Sequence, residues 1–189
     1  MRQENCVKMI VASSIDNKMY LYENGKVIKI IDEVYFGKNG VSNEKKEGDL
    51  CTPKGIFSLG FAFGTRSLNI AYPYYKINEN MYWVCDSTSK FYNEWVEVTE
   101  EEKNFPFSYM KTSPCITWND AERLSDYPVQ YELALVIEYN KEKVKEKGSA
   151  IFLHVKNKEY TAGCIATTKE NLEFIIKWLG KGKGIIEIK

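Results

Sequence analysis

Apolar residues in the first half of the chain recur mostly at every second position, a period that favours strands over helices. KMIVASS and KMYLYENGKVIKII alternate in this way, and Asn24-Gly25 between two apolar runs marks a tight hairpin turn. GIFSLGFAFG and MYWVCD continue the series of short strands, separated by the polar, Gly-containing loop Glu44–Thr52. Ser113–Pro128 contains two prolines and reads as an irregular insertion with a short helix candidate, DAERLS. YELALVIEY is a strand with Tyr131, Leu133, Leu135, Ile137 and Tyr139 on one face and Glu132, Ala134, Val136 and Glu138 on the other. After the charged turn NKEKVKEKG, SAIFLHV has the continuous apolar character of a buried strand.

The period changes once. From about Thr168 to Leu179, Leu172, Ile175, Ile176 and Leu179 fall at i, i+3, i+4 and i+7, the stripe of a helix packed on a core. Thr167-x-x-Glu170 reads as its capping box and Gly180 as its C-terminal cap. GIIEIK closes the chain as a last strand. The pattern predicts a single, mainly β domain over residues 1–189, with one amphipathic helix near the C-terminus.

Composition narrows the function classes. Lys plus Arg and Asp plus Glu are both 26, so no net basic field favours nucleic acid. Arg2, Arg66 and Arg123 are the only arginines; the other basic residues are lysines, the mark of a solvated surface. No apolar run reaches the ~20 residues of a membrane span, and no secretory leader is legible after Met1, so the chain reads as soluble. The five cysteines (Cys6, Cys51, Cys85, Cys115, Cys164) contain no CxxC pair, and with one histidine they imply no metal site and no cofactor. Free cysteine is ordinarily a small buried hydrophobe, which is the default for four of these five.

The exception is Cys164. His154, the one histidine, ends the strongest buried strand, and Thr161-Ala162-Gly163-Cys164 follows after the turn segment KNKEY, directly before the helix. A thiol near pKa ~8.5 needs a neighbouring imidazole to take its proton before it becomes a good nucleophile. Acyl transfer also needs amide donors for a tetrahedral oxyanion, and Gly163 with the Cys164 amide could supply them unobstructed. Thr161 could hydrogen-bond His154 or stabilise its own turn. Spacing alone leaves the ordinary reading open, in which His154 and Cys164 are core residues and Gly163 only shapes a turn.

GSAIFLHV…YTAGCIATTKENLEFIIKWL resembles the catalytic region of L,D-transpeptidases with the YkuD-type domain, where a His precedes [Ser/Thr]-x-Gly-Cys. Gly48, Asp49, Thr52, Pro53, Gly55 and Phe57 match the upstream Gly-Asp…Thr-Pro-x-Gly-x-Phe segment. Trp83, Tyr92, Asn93 and LVIEYN are similar to intervening stretches of one branch. The resemblance implies a β-sandwich of mixed sheets with the helix packed on it. It implies Cys164 as nucleophile and His154 as base, oriented by a backbone carbonyl or small polar group. Tyr92, Asn93, Trp83 and Ala162 are its substrate-binding candidates, although Trp and Tyr on a β domain are otherwise core residues. Ala162 stands where the commoner form has His, and Ile165-Ala166 follow the Cys. The implied partners are peptidoglycan stem peptides, cleaved at the diamino acid with loss of D-Ala and passed to an amine, at the cell wall or in the periplasm. Water as acceptor gives an L,D-carboxypeptidase, and a wall-binding module without catalysis is the third possibility. No residue is assigned to the substrate carboxylate, and the oligomeric state is left open.

Overall fold

The computed structural model describes residues 8–99 and 118–189; Cys6, Cys115 and the first residues of the irregular insertion lie outside them. The N-terminal alternation folds as a meander. β1 (Lys8–Ser13) pairs antiparallel with β2 (Lys18–Glu23), which turns into β3 (Lys26–Ile31). Asn24 and Gly25 both take positive φ, 51° and 79°, as a two-residue turn matching the twist of its strands requires.

GIFSLGFAFG forms β7 (Gly55–Gly64), the long strand on which the sheet changes direction. Its first residues pair with β15 (Gly184–Ile188), and from Leu59 onward it pairs with β12 (Ala134–Ile137). Two half-sheets therefore share one strand. The first half runs β3-β2-β1-β15-β7. The second continues from β7 through β12, β13 (Phe152–Val155), β14 (Ile165–Thr167) and β4 (Val34–Tyr35). The β1–β15 and β13–β14 pairs are parallel among antiparallel neighbours, so the sheet is mixed, as expected.

Both halves turn one face to a common core that includes Ile10, Leu21, Leu135, Leu153 and Ile186. The helix α1 (Lys169–Leu179) closes it with Leu172, Ile175, Ile176 and Leu179, all buried. Each such side chain contributes roughly 1.5–3 kcal/mol by leaving water. The cap lies one residue later than the capping-box pattern suggests: Thr168 accepts from the Asn171 N–H. Thr167 instead ends β14, where its hydroxyl donates to the Glu33 carbonyl.

The other face carries a second, aromatic cluster under a small sheet of β10 (Trp95–Glu97), β9 (Met81–Val84) and β11 (Ala121–Arg123). Trp83 meets Phe152 edge-on at 4.9 Å, and Trp95 meets Phe63 at 5.5 Å. Two expectations change here. DAERLS is no α-helix: its first part pairs with β9, and Leu124–Asp126 make a single 3-10 turn. Six residues cannot offset helix nucleation, whereas pairing of Ala121–Arg123 with β9 followed by the 3-10 turn leaves Leu124 completely buried. Tyr131 also leaves the face expected for it, because a 3-10 turn at Gln130–Glu132 precedes β12 and rotates its ring into the aromatic cluster. Among the described residues no helix is long and apolar enough to cross a membrane.

Candidate active site

β13 and β14 lie side by side, with Leu153 opposite Ile165 and His154 opposite Ala166. Side chains alternate across a strand, so Leu153 and Ile165 enter the main core. Phe152, His154, Cys164 and Ala166 therefore face the other way. Cys164, immediately before β14, is held against the backbone of the neighbouring strand. The Phe152 N–H donates to its Sγ at 3.3 Å, and the thiol donates to the Ala150 carbonyl at 3.2 Å. Cys164 and His154 line one cavity of about 230 Å³, together with Thr161, Ala162, Glu122 and Tyr131.

His154 Nδ1 lies 2.9 Å from the Val155 carbonyl. A carbonyl only accepts, so Nδ1 carries the proton and Nε2 keeps its lone pair. The backbone thus orients the ring. Burial pulls the imidazole down to about 4, and the Val155 carbonyl only partly offsets this. The Cys164 thiol is pushed up to about 12, first by burial and then by the nearby Glu122 carboxyl; the Phe152 amide and Lys45 act in the opposite direction. At neutral pH the pair rests as thiol and neutral imidazole.

The depressed histidine makes stability depend on pH. Its folded pKa lies below the unfolded value of 6.5, so its contribution is complete above pH 6.5 and is lost as pH falls toward 4. The loss amounts to about 3 kcal/mol. Urea unfolding of the parent is expected to show this decline beyond that of His154→Gln; parallel curves would contradict it.

The loop before Cys164 is fixed by two hydroxyls on one carbonyl. Thr161 Oγ1 donates to the Cys164 carbonyl at 2.6 Å and Thr52 Oγ1 at 3.0 Å. Thr52 belongs to the short strand β6 (Thr52–Pro53), paired with β5 (Val41–Ser42), and its hydroxyl also accepts from Gly37 N–H. Thr161 therefore stabilises its own turn. Gly163 sits at φ +149°, and a Cβ there would lie 3.1 Å from the Cys51 carbonyl, so glycine is demanded by the backbone. Its amide, expected as an oxyanion donor, is already given to Thr161 Oγ1.

Trp83, Asn93 and Tyr92 are not brought to this cavity. Asn93 Oδ1 accepts from Trp83 Nε1 and from the Ala150 amide, while its Nδ2 donates to the carbonyls of Tyr139 and Asn140. Tyr92 is buried, its hydroxyl donating to Glu47 and accepting from the Gly148 amide. All three have their polar atoms committed inside the protein. Trp83 and Asn93 line a separate cavity of about 200 Å³ with Glu138 and Lys141.

Sequence reasoning missed Glu122, Tyr131 and Lys158, which line the Cys164 cavity. Glu122 was hidden in the helix candidate DAERLS, Tyr131 in the strand pattern, and Lys158 in the turn segment KNKEY. Arg66 and Arg123 are elsewhere, paired with Glu132 at 2.8 Å and Asp126 at 2.7 Å. Among the described residues no group of three or more His, Cys, Asp or Glu could hold a metal ion.

No curated protein matches the chain. Among solved structures, the helical cell shape determining protein Pgp2 from Campylobacter jejuni matches with a TM-score of 0.54 and 19% identity, over 98% of this chain and 48% of that one. L,D-transpeptidase 1 from Mycobacterium tuberculosis matches with a TM-score of 0.42 and 16% identity, over 97% of this chain and 62% of that one. The chain thus spans about half the length of the first of these neighbours. The family model for the L,D-transpeptidase catalytic domain, YkuD, matches residues 8–188. With that match over nearly its whole length, the chain belongs to the YkuD L,D-transpeptidase family.

Proposed function

We propose that the chain is a peptidoglycan L,D-transpeptidase that uses Cys164 as its nucleophile. The observation that carries this reading is the placement of Cys164 and His154 on one sheet face and in one cavity, with the proton on Nδ1 and the lone pair on Nε2. In the first step Sγ attacks the carbonyl carbon of the third-position diamino acid of a tetrapeptide stem. The thiol proton passes to Nε2 as the S–C bond forms. The C–N bond then breaks, and D-Ala leaves with that proton on its amine. An amine of a second stem attacks the thioester, His154 takes its proton, and the C–S bond breaks as the sulfur is reprotonated. The Cys164 amide serves the oxyanion, since the Gly163 amide is occupied. The substrate sets the location at the cell wall or in the periplasm. A part in cell shape is consistent with the described role of the Campylobacter neighbour.

The test is incubation with a defined tetrapeptide muropeptide, followed by intact-mass analysis of protein and products. The expected result is an acyl adduct on the parent, none on Cys164→Ala, and cross-linked dimers. Trimmed monomers without dimers would make water the acceptor. Absence of any adduct, with peptidoglycan binding equal in parent and variant, would replace the enzyme with a binding module.

A further inference from the structure

Glu122 projects from β11 into the cavity that holds Cys164. The Tyr131 hydroxyl donates to its Oε2, and the Tyr131 ring stands edge-on to His154 with centroids 6.1 Å apart. Among the described residues no lysine or arginine forms an ion pair with Glu122. Burial pushes its carboxyl above the usual range, the Tyr131 hydroxyl pulls it back in part, and the charged side chains that act on it, Asp120 and Glu47, are both acidic and add to the rise. A desolvated carboxylate held by a neutral hydroxyl lacks a counter-charge, which makes it a seat for a cation. Lys158, the cavity's cation, is exposed. The cavity therefore has an acidic group beside the thiol.

We propose that Glu122, held by Tyr131, receives a primary ammonium group of the substrate, the side-chain amine of the diamino acid that Cys164 acylates. The proposal rests on the transpeptidase reading and assigns part of its substrate selectivity. It also couples binding to reactivity. Glu122 is one of the groups that disfavour the Cys164 thiolate. An ammonium seated on it neutralises that charge at the moment the donor peptide is in place, so the thiol ionises more readily with the correct substrate than without it.

Two measurements test this. The first needs no peptide: Cys164 is treated with aminoethyl or hydroxyethyl methanethiosulfonate, and modification is followed at that residue by peptide mass. The cysteine sulfur forms the new S–S bond, methanesulfinate leaves, and the thiol proton goes to buffer. After normalisation to a free thiol, the parent should favour the cationic reagent roughly tenfold, and Glu122→Gln should bring the ratio to within about threefold of unity. In the parent alone the preference should decline as pH is lowered, beginning at a higher pH than an ordinary carboxylate would require. That arm remains decisive if the variant does not fold. The groups around Glu122 are Asp120, Glu47, Cys85, Tyr127, Tyr131, His154, Lys158 and Cys164 itself. Their effect on the thiol and on the shared leaving group cancels in the ratio, and their effect on the ammonium is common to parent and variant, so the change on Glu122→Gln isolates this carboxylate.

The second measurement compares acylation by synthetic stem tetrapeptides whose third residue is lysine or norleucine. The parent should prefer lysine, and Glu122→Gln should lose that preference. An unchanged ratio in the variant, or no preference in the parent, overturns the proposal. An adduct with either peptide keeps Cys164 as the acylated nucleophile in that event, and dimeric products keep the transpeptidase reading. Absence of an adduct with both peptides, beside a clear reagent preference, would sink that reading and the substrate assignment while leaving Glu122 as a cation seat.

Discussion

Replacing His154 with glutamine is expected to slow acylation of Cys164 by roughly 10²–10⁴-fold, the range for loss of a general base. Glutamine keeps a donor near the Val155 carbonyl and fills similar volume, so the fold should survive. The pH profile carries the sharper information. With the thiol at about 12 and the imidazole at about 4, the free protein holds its mobile proton on sulfur across the neutral range. This order favours a neutral resting pair over a thiolate–imidazolium pair, for which the sulfur must be the stronger acid. The proton therefore moves only as the S–C bond forms, and the acylation rate of the parent should show an acid limb near 4 and a plateau through neutral pH. The glutamine variant has no base and depends on the small thiolate fraction, so its residual rate should rise about tenfold per pH unit toward alkaline pH. Stopped acylation assays from pH 4 to 9.5 measure both. A near-parental rate in His154→Gln would remove the imidazole from the mechanism.

The placement of this pair was legible because strand alternation and the turn residues of KNKEY put His154 on one strand and Cys164 immediately before the next. Period two then sets their common face. The hairpin at Asn24-Gly25 and the stripe of α1 were legible for the same reason, since each depends on local geometry alone. Glu122 was not legible. It comes from a strand that exists only because Ala121–Arg123 pair with β9, so its arrival beside Cys164 is a tertiary event with no local period. Tyr131 was misplaced by one 3-10 turn, which moves it to the aromatic cluster while Leu133 and the alternation within β12 keep their expected faces. The resemblance names Trp83, Tyr92 and Asn93 as substrate-facing; outside the Cys164 cavity, their polar atoms are used in tying the 139–150 segment to the small sheet. Asn93 serves the site from behind.

Asn93→Ala is accordingly expected to lower stability by about 3 kcal/mol or more and to slow acylation in the molecules that remain folded. Asn93 satisfies two donors, Trp83 Nε1 at 2.9 Å and the Ala150 amide at 3.1 Å, and two acceptors, the carbonyls of Tyr139 and Asn140. It also sits at φ +57°, where asparagine is better tolerated than alanine. Truncation strands three polar groups at once, since the Asn140 carbonyl keeps the Lys143 N–H, and water entering beside Trp83 recovers part of the loss. The effect on chemistry follows from Ala150. This residue is itself left-handed, at φ +52°, and its carbonyl receives the Cys164 thiol. Strain of that kind persists only where surrounding bonds enforce it, and Asn93 is the side chain that holds the Ala150 amide. Once released, Ala150 is free to relax and the sulfur loses its anchor opposite the Phe152 amide. Asn93→Asp separates the two roles, because a carboxylate still accepts from Trp83 and Ala150 but cannot donate to the two carbonyls. Urea unfolding should therefore show both variants destabilised, while acylation at a temperature where each is folded should be slower in Asn93→Ala than in Asn93→Asp. Equal acylation rates in the two, despite the stability loss, would show that the hydrogen bonds from Trp83 to the thiol hold the fold and have no bearing on the nucleophile.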